Sequence, residues 1–266
     1  KKKFVLLYFF LFFWITLFFL GYSSLNRFDH DFLMNTALSD ITFYESIIKN
    51  GIEQVKVSER IGPRILVPLL SHYVYINIGD LGTWNKVFFS LLIVNSFLIS
   101  LITIYQIKFL KLINAPITLY PQFLFISSFA VVNIYLTGLI DSSICLFSFL
   151  YIYYSLKEKY IKSLVVILFL ALSKETSFIY VILINLSIIL NIIFLKKKLS
   201  FLIISRKVFD VLLIIILVNF TISFFLNMNL YSYSNTFINN SGISSLSLDL
   251  LDFIKIIFFI LFIPFF

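Results

Sequence analysis

Apolar residues fill this chain in long blocks separated by short polar breaks, and block length sorts them. A helix needs about 20 apolar residues, roughly 17–25, to cross a bilayer. Phe4 to Leu20 meets that after the basic start Lys1-Lys2-Lys3. A signal peptide would carry a small-residue cleavage site next, and Gly21-Tyr22-Ser23-Ser24 is a poor match, so the block reads as an uncleaved anchor. Further spans are expected at Val87 to Ile107, Ile117 to Thr137, Leu139 to Leu156 and Val208 to Leu226, with a last one from about Phe253. Ser163 to Leu195 would run to about 50 Å as one straight helix, too long for a hydrocarbon core of about 30 Å. It also carries Lys174-Glu175 at its middle, so it divides into a short crossing and a second helix starting near Thr176. The pattern predicts an all-α fold: a polytopic transmembrane helical bundle of about eight crossings, one integral membrane domain over residues 1–266.

The polar interval from Tyr22 to Lys86 is the exception to the blocks. It holds Asp29, Asp31, Asp40, Glu45, Glu53, Glu59 and Asp80 beside Arg27, Lys49, Lys56, Arg60, Arg64 and Lys86. Connections of that length inside compact proteins usually serve a function. Within it, Ser39 or Asp40 opens a short helix that Asn50-Gly51 stops. Phe43, Ile47 and Ile48 give that helix an apolar stripe suited to a membrane surface. Ile65 to Ile78 is apolar but short, interrupted by Pro68 and His72, and reads as an interfacial or re-entrant helix.

Composition agrees with the pattern. Of 266 residues 61% are hydrophobic and 13% charged, with mean hydropathy +1.02, which excludes a water-soluble enzyme. Cys145 is the single cysteine, so no disulfide framework or cysteine metal cluster is possible. The first residue is not Met and the chain stops in an apolar run at Pro264-Phe265-Phe266, the pattern of a piece of a longer protein.

Net charge of +8 gains meaning from its placement. With the spans above, one side receives Lys1, Lys2, Lys3, Lys108, Lys111, Lys157, Lys159, Lys162, Lys196, Lys197, Lys198, Arg206 and Lys207, against only Glu158 and Asp210. Lysine-rich short loops mark the cytoplasmic face. The N-terminus is then cytoplasmic, and the 22–86 loop, the Thr137–Asp141 turn, Lys174-Glu175 and the Met228–Asp252 loop are extracytoplasmic. As a nucleic-acid site the lysine turns are unconvincing, because they show no interleaved aromatics suited to base stacking.

Ionisable groups at membrane depth are costly and usually face a cavity. Asp141 stands at the start of one span, where it also suits a helix N-cap. Lys174 and Glu175 interrupt another, and adjacent helical side chains point about 100° apart, so the two need not pair with each other. Asp29-His30-Asp31 has a form that can bind a divalent cation through oxygen ligands, although no metal or cofactor is required by the pattern. Asp40 and Tyr44, four residues apart, share a helix face, and a carboxylate there suits a general base. Arg60 and Arg64 beside an interfacial apolar segment suit a phosphate, which guanidinium grips with a two-pronged fork. His72, on an apolar face, reads as structural.

The layout resembles the GT-C superfamily, polytopic glycosyltransferases that use polyprenyl-phosphate-linked sugars. Asp40-Ile41-Thr42-Phe43-Tyr44 followed by Gly51 resembles that group's Asp-x-x-x-Tyr loop pattern. Arg64-Ile65-Leu66-Val67-Pro68-Leu69 resembles its Arg-x-Leu-x-Pro-x-Leu segment, and Asp141 with the Lys174-Glu175-Thr176 break resembles later landmarks. The resemblance implies Asp40 as catalytic base, with Asp31 and then Asp29 as substitutes. It implies that Arg60, Arg64 and Lys174 neutralise the leaving lipid phosphate, with Tyr44, Asp141 and Glu175 in the same substrate site. A polyprenyl-phosphate sugar donor, a glycan, lipid or protein acceptor, and membrane lipids are the implied partners; nucleic acid is not among them. A polysaccharide polymerase or a lipid-linked-glycan transporter would share the same outer-face acids and arginines. A transporter should show internal repeats and discontinuous helices; no repeat is present, though the break at Lys174-Glu175 is of that kind.

Overall fold

The computed structural model describes residues 2–25, 40–51, 64–79, 81, 85–116, 140–194 and 201–226. Among them the chain is helical, with no strand. The helices are α1 (Lys2–Leu25), α2 (Asp40–Asn50), α3 (Leu66–Asn77), α4 (Lys86–Leu112), α5 (Asp141–Leu156), α6 (Tyr160–Ser173), α7 (Ser177–Phe194) and α8 (Phe201–Leu226). Residues 117–139 and 253 onward, where two further spans are expected, lie outside the described residues.

Among the described residues three helices are long and apolar enough to cross a membrane: Lys86–Leu112, Ser177–Phe194 and Phe201–Phe225. On α7 and α8 apolar side chains such as Leu186, Ile193, Leu212, Ile216 and Phe220 face outward, a surface suited to hydrocarbon. By contrast, α5 has 16 residues and α6 has 14, about 24 and 21 Å, shorter than the hydrocarbon core. The first apolar block extends to a helix of 24 residues.

At the centre lies α4. Its N-terminus is capped by Asn85, whose side chain accepts from the amides of Val87 and Phe88 at 2.9 and 3.4 Å. Along it α1 runs antiparallel: Phe10 meets Phe97, Trp14 donates to Ser96 at 3.2 Å, and Phe18 meets Phe89. On another face α4 meets α5, where Ser142 donates to Asn95. Next, α5 and α6 form a tight antiparallel pair around Lys157–Lys159, with Glu158 at φ 54 turning the chain and Phe147 stacked on Phe169. Finally α8 packs on α6 and α7.

This antiparallel order gathers basic residues at one end. Lys108, Lys157, Lys162, Arg206 and Lys207 each lie over a tyrosine ring, of Tyr105, Tyr153, Tyr154, Tyr160 and Tyr151 respectively, at 4.3–5.6 Å. The expectation that these turns lack interleaved aromatics is therefore corrected: tyrosines one helical turn away in sequence, or on the neighbouring helix, reach the ammonium groups. Tyrosine and lysine together are the composition of a membrane–water boundary.

At the opposite end sit the two short helices. Helix α2 stops as expected at Asn50-Gly51, where Gly51 has φ +74, a conformation costly for a residue with a Cβ. The apolar stripe of α2 takes a different direction from the expected one. Ile47 and Ile48 are fully buried against the bundle rather than turned to a membrane surface, because α3 and α4 supply an apolar face for them. Helix α3, with 12 residues, is too short to span; it packs against α4 and α2 and buries Leu66, Val67 and Pro68. His72 Nδ1 donates to the Ile48 carbonyl at 2.9 Å, pinning α3 to the end of α2.

Candidate functional site

The break between α6 and α7 organises this end. Ser173 closes α6, Lys174 is extended (φ −165, ψ 143), and α7 begins at Ser177. That is the division expected near Thr176. An extended residue sends its side chain away from its neighbour's, and Lys174 and Glu175 indeed find separate partners.

Glu175 turns inward, 5% exposed. Arg64, just before α3, grips it with both prongs: Nε donates to Oε2 at 3.2 Å and Nη2 to Oε1 at 2.9 Å. The remaining prong, Nη1, donates to the Tyr44 hydroxyl of α2 at 3.2 Å. A backbone bond, Ile65 N–H to the Leu172 carbonyl at 3.2 Å, holds the same two segments together. Arg64 is itself buried. Burial pulls its guanidinium toward neutrality, but the hydrogen bonds and charge of Glu175, then Tyr44, outweigh it, so the group is held above its ordinary range and stays charged.

Lys174 turns the other way. Its Nζ donates to Asp141 Oδ1, at the first turn of α5, at 2.8 Å. Both side chains are 24% exposed. Among the described residues Asp141 is the ammonium's hydrogen-bond partner, which leaves donors for a further acceptor. Ser177 Oγ, buried beside this break, has no hydrogen-bond partner among the described residues.

Five expected site residues thus come together: Tyr44, Arg64 and Glu175 in a buried clamp, Asp141 and Lys174 in a half-open pair beside it. They come from four separate stretches of chain. The clamp commits Arg64 to a carboxylate, whereas the resemblance gives it to a lipid phosphate; Lys174 is the cation with capacity left. Asp40 opens α2, one turn before Tyr44, and its side chain lies outside the described residues. Asp29, Asp31 and Arg60 also lie outside them. Among the described residues no three His, Cys, Asp or Glu side chains converge as metal ligands.

A second polar cluster escaped the sequence reading. Asp210, counted above as a loop acid, sits well inside α8 because that helix begins at Phe201 rather than Val208. It is buried with Tyr151 of α5 and Asn185 of α7. The one signal for it was Asn185, one of two asparagines in the apolar run of α7.

Comparison with protein-family models, with curated proteins and with solved structures returns no match, so the residues and their geometry carry the functional reading.

Proposed function

We propose that this chain is an integral membrane glycosyltransferase resembling the GT-C superfamily. It moves a sugar from a polyprenyl-phosphate carrier to an acceptor hydroxyl on the extracytoplasmic face. The observation that carries the reading is the meeting of Tyr44, Arg64, Asp141, Lys174 and Glu175 at the end of the bundle opposite the lysine–tyrosine belt. In this reading the chain makes about eight crossings with the belt and N-terminus cytoplasmic, which turns the site outward.

The chemistry needs an acceptor oxygen freed of its proton and an anionic leaving group held at the membrane surface. Asp40 takes the hydroxyl proton as the acceptor oxygen attacks the anomeric carbon. The bond from that carbon to the phosphate oxygen breaks, and its electron pair leaves on the lipid phosphate. Lys174 meets that charge with its remaining donors, Arg60 from the preceding loop reinforcing it. Arg64, Glu175 and Tyr44 are positioning residues that hold α2, and with it the start at Asp40, against the α6–α7 break. A single displacement inverts the anomeric carbon. Asp31 and Asp29 are the substitutes for the base.

The test is turnover by the purified full chain in detergent. A polyprenyl-phosphate sugar with its acceptor should yield free polyprenyl phosphate, and Asp40→Asn should abolish that release at unchanged expression. Unaltered turnover removes Asp40 from the base role. Single-cysteine labelling near residue 40 in intact cells should occur from outside; labelling only from the cytoplasm overturns the sidedness. A second reading, movement of a lipid-linked glycan without bond cleavage, is favoured by Asp210 buried within a candidate span. It would give flux in liposomes and no released polyprenyl phosphate.

A further inference from the structure

The cluster at Asp210 poses a question of proton counting. Tyr151, Asn185 and Asp210 are 0, 3 and 2% exposed and come from three helices. Tyr151 Oη lies 2.7 Å from Asn185 Oδ1 and 2.6 Å from Asp210 Oδ2. Both are ordinary O–H···O lengths, and two such contacts need two hydrogens. The phenol brings one, the amide oxygen none, and an ionised carboxylate none. One contact is short of a hydrogen unless Asp210 carries it.

The alternatives fit less well. Asn185 Nδ2 donates to the Lys207 carbonyl at 3.3 Å. Turning the amide over would give Tyr151 a donor but set Asn185 Oδ1 against that carbonyl, two acceptors with nothing between them. The Lys207 ammonium stands 3.8 Å from Asp210 Oδ2, beyond hydrogen-bond reach, over the Tyr151 ring. Independently, Asp210 Oδ1 is buried without a hydrogen-bond partner among the described residues. A bare oxygen is far more costly on a carboxylate than on the carbonyl of a neutral acid. The charged and titratable groups around the site are Tyr151 from α5, Tyr160 at the start of α6, and Arg206 and Lys207 on α8 itself; α7 contributes the neutral Asn185.

We propose that Asp210 is a proton-binding site: Oδ2 holds a hydrogen that it donates to Tyr151 Oη, which donates in turn to Asn185 Oδ1. The ligand is a proton, and the chain it completes ties α8 through α5 to α7. When the proton departs to a base in solvent, the carboxylate draws on the Tyr151 hydrogen and leaves Asn185 Oδ1 without a donor. Lys207, three residues earlier on the same helix, is then the partner that closes on Asp210. Proton loss thereby exchanges a bond between helices for one within α8. The inference stands apart from glycosyl transfer, whose residues gather at the α6–α7 break.

Infrared difference spectra of the full chain in lipid nanodiscs test it. The carbonyl stretch of a protonated carboxyl, present at neutral pH, should be lost in Asp210→Asn and displaced in Tyr151→Phe, which removes its acceptor. Loss of carboxylate bands instead in Asp210→Asn would overturn the proposal. Should that variant fail to fold, Tyr151→Phe carries the test alone: a displaced acid band supports a protonated Asp210, and an unchanged acid region overturns it.

Discussion

The two polar clusters solve the problem of burying charge in opposite ways. At the end of the bundle, Arg64 and Glu175 are both charged and satisfy each other through a two-pronged contact, with Tyr44 taking the third donor. Inside the bundle, Asp210 has a lysine at 3.8 Å but makes its short bond to a tyrosine. The difference lies in the backbone. A helix break lets Glu175 face an arginine from another segment, whereas Asp210 faces Tyr151 of a neighbouring helix, with Lys207 lying over that tyrosine ring. The break thus holds a charged pair whose members satisfy each other, and the bundle interior holds an acid whose short bond is to a tyrosine.

Mutations can break or sharpen that contrast. Removing one member of the terminal clamp should have the largest effect: Glu175→Ala takes the carboxylate from a buried guanidinium, which costs about 3–5 kcal/mol, read as a fall in thermal unfolding temperature in detergent. Tyr151→Phe in the interior cluster should cost less, about 1–3 kcal/mol, because neutral hydrogen bonds are lost. Gly51→Ala should cost about 1–2 kcal/mol, since its φ is +74 and the new Cβ would meet His72 Nε2 at 3.2 Å, loosening α2 against the clamp. Lys174→Met should be nearly silent in stability, below about 1 kcal/mol, because its pair with Asp141 is partly exposed. In the proposed function the same variant should nonetheless lower turnover strongly. A variant as unstable as Glu175→Ala would erase the distinction between the clamp and the half-open pair.

Much of the terminal cluster was legible in the sequence because its charges fall where hydrophobic runs stop. Lys174 and Glu175 interrupt a run too long for one crossing, Asp141 begins another, and Asn50-Gly51 ends a short one; each marks its own exposure to something other than lipid. Who pairs with whom was not legible. Arg64 suits a phosphate and a carboxylate equally, and only the docking of α3 beside the break decides it. The inward turn of Ile47 and Ile48 was equally hidden, since an amphipathic stripe reads the same against a bilayer or a bundle. Asp210 was missed for a different reason. Arg206 and Lys207 make hydropathy start the span at Val208, so an acid two residues later looks like an edge residue. In the fold these cations lie along tyrosine rings, which lets helix α8 begin earlier and carries Asp210 inside.

The clamp also sets a timetable for biogenesis. Arg64 precedes its carboxylate partner by 111 residues. At a synthesis rate of about 5–20 residues per second, the nascent chain waits roughly 5–20 seconds between the two. For that interval the arginine lacks its carboxylate partner. The clamp therefore closes only after the segment carrying Glu175 has been made, with helix α8 still to follow.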